Sequence, residues 1–427
     1  MFATSILGAF KRVSAEQVSD ALAMAVVISL PWSTSVTASL IGLWLLSTLP
    51  FLRSPRLQKS LSVLRHARTT LAGVFPVLLW SIAVLGMLWA DVSWPERLRG
   101  LAGFHKLLVI PLLIVQFSRS AQAQHILVAY LLSCTVLLIF SWASLLWPTA
   151  AWGPYPGVPV RDYIAQSGEF VLCAFGSLHI ALNALKIKRH LIGLVFAGLA
   201  LAFLINAFYV ATSRTQLVVF PFLVAVFGIQ RFGLRGAVYA ALATGAVLPS
   251  LWFTSPYFRG RVLDVVEAVQ HSQAGDPPAS AANELQISTA LHLSFLKKSL
   301  QFVEEAPLIG HGTGSITELY RQSAIGKTGA DAIVSTNPHN QTFAVAIQLG
   351  VLGVIVLYAM WISHARLMLS LPGLEGWVGS LLVIQNIISS LFNSHLFDFT
   401  QGWTYVFGVG IIGGVALQRI SIPIRRN

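Results

Sequence analysis

The residues best suited to chemistry lie in the polar segment Ser335–Gln341, which leads directly into the apolar run Thr342–Trp361. Imidazole titrates near neutral pH and can take a proton from a hydroxyl group. One interpretation of His339 is therefore a general base at the mouth of a membrane helix. The other is an ordinary polar residue at a helix start, with Asn337 as the cap and Pro338 in the first turn.

Further polar residues could assist His339. Asn340 and Gln341 could orient an acceptor sugar, and Asp398 could orient the imidazole. Three other side chains are weaker candidates, each more typical of a structural position: His292, His311 and Tyr320. The sequence has no motif for a metal ion or a nucleotide, so no cofactor is expected. Any activated donor must then bring its own leaving group.

Four arginines lie at the ends of apolar runs: Arg161, Arg214, Arg259 and Arg261. Arginine suits phosphate because its fork of donors stays charged and binds two oxygens. Arg214 has almost no loop around it, so its position is costly unless it serves an anion or a carboxylate. The other three could instead anchor helix ends among lipid headgroups, and Asp162 could pair with Arg161.

The elements that must position these residues are membrane helices. The chain has 427 residues, of which 55% are hydrophobic and only 10% charged, and its mean hydropathy is +0.72. Soluble domains carry about 25% charged residues, so the sequence predicts an all-α, polytopic membrane protein. Both cysteines, Cys134 and Cys173, fall inside apolar runs, so no disulfide is expected. No cleavable signal peptide is evident.

Hydropathy predicts twelve spans at about the following residues: 17–33, 36–52, 71–90, 101–117, 125–147, 165–185, 191–211, 215–230, 237–254, 341–361, 375–392 and 403–418. Prolines within spans are tolerated when neighbours satisfy the freed carbonyls. Alternate loops are basic and lack acidic residues, which places them and both termini in the cytoplasm. These loops contain Arg53, Arg56, Lys59, Arg65 and Arg68; Lys186, Lys188 and Arg189; Arg231 and Arg235; and Arg419, Arg425 and Arg426.

The predicted organisation is nine spans in residues 1–254, an outer loop domain in 255–340 and three spans in 341–427. A loop this long is usually functional or disordered. Apolar residues at helical spacing predict amphipathic helices at Val262–Val269 and Ile287–Val303, and Gln273–Ala282 is predicted as a flexible turn.

Three ordered motifs together resemble the O-antigen ligase and polymerase superfamily: Pro307–Gly314, Asn337–Asn340 and Gln348–Gly353. Thr212–Arg214 and the twelve-span plan are similar too. The resemblance implies a GT-C-like glycosyltransferase, inverting and independent of metal, at the periplasmic face of the bacterial inner membrane. Its donor would be a polysaccharide on undecaprenyl pyrophosphate. Its acceptor would be a sugar hydroxyl of the lipid A core, so that the product is lipopolysaccharide.

The resemblance also implies residue roles. Arg161 and Arg214 would hold the pyrophosphate, and His339 would deprotonate the acceptor hydroxyl. One departure is His292, which stands where the family often has an arginine. That charge could come from Lys297 and Lys298, or from Arg259 and Arg261.

Other functions share parts of this pattern. An O-antigen polymerase or a protein O-oligosaccharyltransferase would use the same donor with another acceptor, but the loop is short for a protein-acceptor module. A lipid-linked oligosaccharide flippase is disfavoured, because ionisable groups cluster at the outer interface and no internal repeat is evident. The main polar residues deep within spans are Asn206, Gln385 and Asn386. A purely structural scaffold would leave Arg214 unexplained.

Overall fold

The computed structural model describes residues 14–52, 67–147, 153, 155–160, 162–256, 259–260, 262–263, 266 and 284–421. Within these ranges the chain is almost entirely helical, which confirms the predicted all-α class. The helices that position the site are α1 (Ala15–Ser29), α2 (Thr34–Leu52), α3 (Ala67–Gly86), α4 (Trp94–His105), α5 (Val109–Phe117), α6 (Ala123–Leu146), α7 (Tyr163–Lys186), α8 (His190–Tyr209), α9 (Arg214–Phe232), α10 (Leu234–Thr254), α11 (Glu284–Glu305), α12 (Ile316–Ala324), α13 (Gln341–Leu369), α14 (Leu374–Ser389) and α15 (Phe399–Ser421).

Eleven of the twelve predicted spans fall largely on one of these helices each, whereas the span at 101–117 covers the end of α4, a 3₁₀ turn and α5. Among the described residues, seven stretches are long and apolar enough to cross a membrane, namely Trp94–Phe117 and helices α6, α7, α8, α9, α10 and α13. Shorter apolar helices lie within α2, α3 and α14. The remaining two predicted spans lie on α1 and α15. The chain is thus a multi-pass membrane protein, whereas the count of twelve and the GT-C-like fold remain predictions.

The predicted helix at Ile287–Val303 is confirmed, because it lies within α11. Most of the predicted helix at Val262–Val269 and the predicted turn at Gln273–Ala282 lie outside the described residues. The same holds for the basic segment 53–66 and the basic end of the chain, 422–427. The predicted domain boundaries therefore stay predictions.

Several helices bury one side and leave apolar side chains exposed on the other. In α8, for example, Phe203 is fully buried, whereas Leu191 is 77% exposed and Leu194 is 67% exposed. Lipid chains are as apolar as these side chains, so their exposure carries no penalty in a bilayer. What the bundle must satisfy internally is its backbone polar groups.

Pro76 interrupts the hydrogen bonds of α3, and a buried histidine compensates for the loss. Proline has no N–H, so the carbonyl of Ala72, four residues earlier, loses its helical donor. Nε2 of His364 in α13 lies 2.9 Å from that oxygen, and Nδ1 of His364 lies 2.6 Å from the hydroxyl of Tyr405 in α15. His364 therefore donates from Nε2 and accepts at Nδ1. The contact ties three helices together.

Helix α13 is broken at Gly350, whose φ is 62°. The break frees the carbonyls of Ile347 and Gln348 from their helical donors. Two backbone N–H groups of the Pro307–Gly314 bend donate to these carbonyls at 2.8 and 2.9 Å. A Cβ at position 350 would lie 2.3 Å from the carbonyl carbon of Leu308. The glycine-rich bend and the broken helix therefore form one packed unit.

A small hydrophobic core fixes α11 and α12 on the beginning of α13. Its buried members come from α11, α12 and α13: Phe295, Phe302, Ile316, Tyr320, Ala344 and Ile347. This core lies immediately beside the segment that contains His339. We call the end of the bundle where α9, α13 and α15 begin the loop end.

Candidate active site

His339 lies just before α13 in the left-handed backbone conformation, with a φ of 54°. Few residues other than glycine adopt this conformation, although histidine does so more often than most. The side-chain oxygen of Asn337 accepts the N–H of His339 at 2.9 Å and the hydroxyl of Ser394 at 2.6 Å. Such local bonds stabilise the turn. Backbone strain maintained by surrounding contacts is typical of functional sites.

Asn393 forms a hydrogen bond with the imidazole of His339. Its Oδ1 lies 3.2 Å from Nδ1 of His339, 3.0 Å from Nδ2 of Asn337 and 2.9 Å from the backbone nitrogen of Ser394. Its Nδ2 donates to Oδ2 of Asp398 at 3.0 Å. Asp398, predicted to orient the imidazole, thus reaches it through Asn393. Asn393 was not predicted from the sequence, because 54 residues separate it from His339.

Two aromatic rings of α11 cover the imidazole. Phe295 stacks on His339 with ring centres 5.5 Å apart and an interplanar angle of 15°, and the ring of His292 lies 4.8 Å away. Burial lowers the pKa of His339, and the nearby His292 lowers it further, against the opposing effects of the Asn393 hydrogen bond and Asp398. The neutral imidazole, which can accept a proton, is therefore favoured at neutral pH.

Lys106, in a short 3₁₀ turn between α4 and α5, fixes the loop that contains Asp398. It is only 7% exposed, and its Nζ donates to the carbonyls of Phe397 and Asp398 at 2.9 and 2.7 Å. In the same loop, Nδ1 of the buried His395 lies 3.1 Å from Oδ2 of Asp398. Lys106 was not predicted from the sequence. Its position inside an apolar run was the available signal, since a buried lysine needs partners.

Tyr320 and His311 both form hydrogen bonds with the backbone of α11. Tyr320 is fully buried, its hydroxyl donates to the carbonyl of Phe295 at 3.1 Å, and burial raises the pKa of Tyr320 to about 12. Nε2 of His311 lies 2.8 Å from the carbonyl of Phe302. Contacts of this kind are typical of structural positions. A contact of either residue with substrate remains a prediction.

Asn340 and Gln341 begin α13. Asn340, not Asn337, is the helix cap, because its Oδ1 accepts the backbone N–H groups two and three residues later at 2.8 and 3.2 Å. Its Nδ2 donates to the carbonyl of Leu391 at 3.0 Å. Gln341 is fully buried, and its amide atoms have no hydrogen-bond partner among the described residues. The predicted roles of both in orienting an acceptor stay predictions.

The predicted phosphate-binding arginines are described only in part. Arg214 is the first residue of α9, follows the N-cap Ser213 and is half-buried. The positive end of the helix dipole lies there, so an anion would be stabilised beside it. Arg259 is exposed beyond the end of α10. Arg161 and Arg261 lie outside the described residues.

Three polar residues buried in the bundle hold the segment that precedes Arg161. Ser141 and Gln166 both donate to the carbonyl of Gly157, and Nδ2 of Asn206 donates to the hydroxyl of Ser141 at 2.8 Å. Asn206, one of the polar residues deep within the predicted spans, therefore has an anchoring role. This contact explains its presence without a transport path.

A small cavity with several polar residues in its lining lies at the loop end of the bundle. Its polar lining includes Glu169, Gln216, Gln385, Asn386, His395 and Thr404. Glu169 in α7 is only 5% exposed. This residue was not predicted from the sequence, although ionisable residues inside a membrane bundle are usually functional. Gln216 lies two residues after Arg214, and His395 contacts Asp398. The cavity thus connects the start of α9 to the loop that contains Asp398.

The fold and the site define a multi-pass membrane protein with an oriented, half-buried histidine at one end of its helix bundle. Residues 172–358 match the family model described as O-antigen ligase. The matched segment contains Arg214, the glycine-rich bend and His339. The match confirms the resemblance to the O-antigen ligase and polymerase superfamily. A comparison with curated proteins gives no match.

Proposed function

We propose that the protein is an O-antigen ligase. It transfers a polysaccharide from undecaprenyl pyrophosphate to a sugar hydroxyl of the lipid A core, at the periplasmic face of the bacterial inner membrane, and so completes lipopolysaccharide. The observation that carries this proposal is His339, a half-buried imidazole with a lowered pKa, inside the segment that matches the family. The basic loops assigned to the cytoplasm leave the loop end of the bundle on the periplasmic side.

The proposed reaction needs one base and an anion site. The acceptor oxygen attacks the anomeric carbon of the donor sugar while His339 takes the hydroxyl proton. The bond from that carbon to the pyrophosphate oxygen breaks, and attack from the opposite face inverts the configuration. Pyrophosphate is already a good leaving group, so positioning and charge stabilisation complete the catalysis without a metal ion. Arg214 and Arg161 hold the pyrophosphate, while Arg259 and Arg261 supply further basic contacts.

The alternatives differ in the acceptor or in the whole class of function. An O-antigen polymerase or a protein O-oligosaccharyltransferase would use the same base and anion site. Buried ionisable residues such as Glu169 and Lys106 favour a flippase, because transporters place ionisable residues inside the bundle. The hydrogen bonds around His339 favour an enzyme, since a transport path has no need of an oriented base at its end.

A transfer assay on purified protein tests the proposal. The donor is an undecaprenyl-pyrophosphate glycan, the acceptor is lipid A core, and EDTA is present throughout. The variants are His339→Ala, Arg214→Ala and Arg161→Ala, and the matched controls are His190→Ala and Arg235→Ala at the opposite end of the bundle. Transfer should be lost in the first three proteins and kept in the controls.

Other outcomes would change the assignment. Elongation of the lipid-linked glycan without transfer to lipid A would make the protein a polymerase. Movement of the lipid-linked glycan across vesicle membranes without any transfer would make it a flippase. Full activity of a folded His339→Ala variant would exclude His339 as the base whatever the acceptor.

A further inference from the structure

The side-chain amide of Asn393 has one possible orientation. Its Oδ1 lies 2.9 Å from the backbone nitrogen of Ser394, which can only donate. The same oxygen receives Nδ2 of Asn337, whose own orientation is set by the backbone N–H of His339 on its Oδ1. The nitrogen of the Asn393 amide consequently points to Asp398, where it donates at 3.0 Å. Three neighbours therefore agree on which atom is the oxygen.

That oxygen faces Nδ1 of His339 at 3.2 Å. An amide oxygen only accepts, so Nδ1 must carry the proton, and in the neutral ring Nε2 is then the nitrogen with the free lone pair. We propose that Asn393 is a positioning residue that fixes this tautomer and directs Nε2 of His339 to the acceptor hydroxyl. Asp398 acts one step further away, by holding the amide of Asn393. This inference rests on the proposed function of His339.

The charged and titratable groups around His339 set its pH dependence. His292 faces it from α11, and its effect lowers the pKa of His339. Asp398 raises that pKa and is itself contacted by His395 and by Lys106. The hydrogen bond that the Asn393 oxygen accepts from His339 also raises the pKa of His339. Changes at position 393 should therefore move the acidic limb of the rate profile as well as the rate.

Two variants test the role of Asn393 through kcat/KM measured across pH. Asn393→Ala removes the acceptor for Nδ1 of His339. We expect kcat to fall about 10- to 100-fold, less than the roughly 10²–10⁴-fold that a positioned base contributes, because the base is still present but no longer oriented. KM should change little, and the acidic limb should move to lower pH. The exchange Asn393→Asp with Asp398→Asn keeps the acceptor and the net charge but brings the negative charge next to His339. We expect it to recover activity, with the acidic limb above that of the wild type.

The matched control is Asn183→Ala, which removes an asparagine near the last residue of α7, at the end of the bundle opposite to the loop end. Its rate profile should be that of the wild type. If His339→Ala is inactive but both Asn393 variants keep the wild-type profile, the positioning role is overturned and the base remains. If a folded His339→Ala variant keeps the wild-type activity, His339 is not the base, and the proposed role of Asn393 is refuted as well.

If Asn393→Ala does not fold, the variant that exchanges Asn393 and Asp398 tests the proposal by itself. A limb shifted to higher pH supports the tautomer role, and an unshifted limb contradicts it, because a merely structural contact would not change the titration of His339.

Discussion

Replacing His364 with leucine should destabilise the helix bundle through two unpaired groups. The substitution removes the donor to the Ala72 carbonyl, which Pro76 leaves without its helical N–H, and the acceptor for the Tyr405 hydroxyl. His364 and Tyr405 are fully buried, and so is the side chain of Ala72. Water therefore cannot replace the lost contacts without opening the contact between α3, α13 and α15.

The expected loss of stability follows from these two unpaired groups, the Ala72 carbonyl and the Tyr405 hydroxyl. A buried polar group left unpaired costs about 1–3 kcal/mol, and hydrogen bonds between membrane helices contribute about 0.6–1.7 kcal/mol each. We therefore expect His364→Leu to lower the free energy of unfolding by about 2–4 kcal/mol. Pro76→Ala should reduce this loss, because residue 76 then has an N–H that can donate to Ala72. The coupling between the two substitutions should be about 1–2 kcal/mol.

The assay is equilibrium unfolding in mixed detergent micelles, followed by tryptophan fluorescence, on the wild type, both single variants and the double variant. Leu204→Ala on α8 is a control for a general loss of packing, and Pro76→Ala should not rescue it. Energies that add within about 0.5 kcal/mol, as expected for independent sites, would refute the link between Pro76 and His364. So would an undiminished stability of His364→Leu alone.

Two further predictions concern the site and its support. His292→Ala removes a group that lowers the pKa of His339, so the acidic limb of the transfer rate should move to higher pH; an unchanged limb would contradict that electrostatic effect. Gly350→Ala should abolish activity and impair folding, because its Cβ would lie 2.3 Å from the Leu308 carbonyl carbon at a φ of 62°. Thermal unfolding and transfer assays check this, and a wild-type melting temperature would contradict it.

The predicted spans agree well with the helices because a membrane permits few alternatives. Each backbone group in lipid must be bonded within its own segment, so long apolar runs can only be helices there. His339 was identifiable for a related reason, since its residue type and its place before an apolar run are both visible in the sequence. The amphipathic spacing of Ile287–Val303 likewise predicted α11.

The partners of His339 could not be predicted in the same way. Asn393 lies 54 residues away, and nothing in its own neighbourhood distinguishes it from other loop asparagines. Asp398 was associated with the imidazole, but the intervening amide appears only when the loop is folded. Glu169 and Lys106 are different, because both were visible as ionisable residues inside apolar runs.

The three motifs of the resemblance have one physical explanation. The break at Gly350 exposes two carbonyls, and the N–H groups of the Pro307–Gly314 bend pair with them. The bend connects α11 to α12, whose side chains form the small core against the beginning of α13. That core places Phe295 on the ring of His339. A histidine with a strained backbone therefore depends on a helix break eleven residues further along the chain, which is why a substitution at Gly350 should affect catalysis as well as folding.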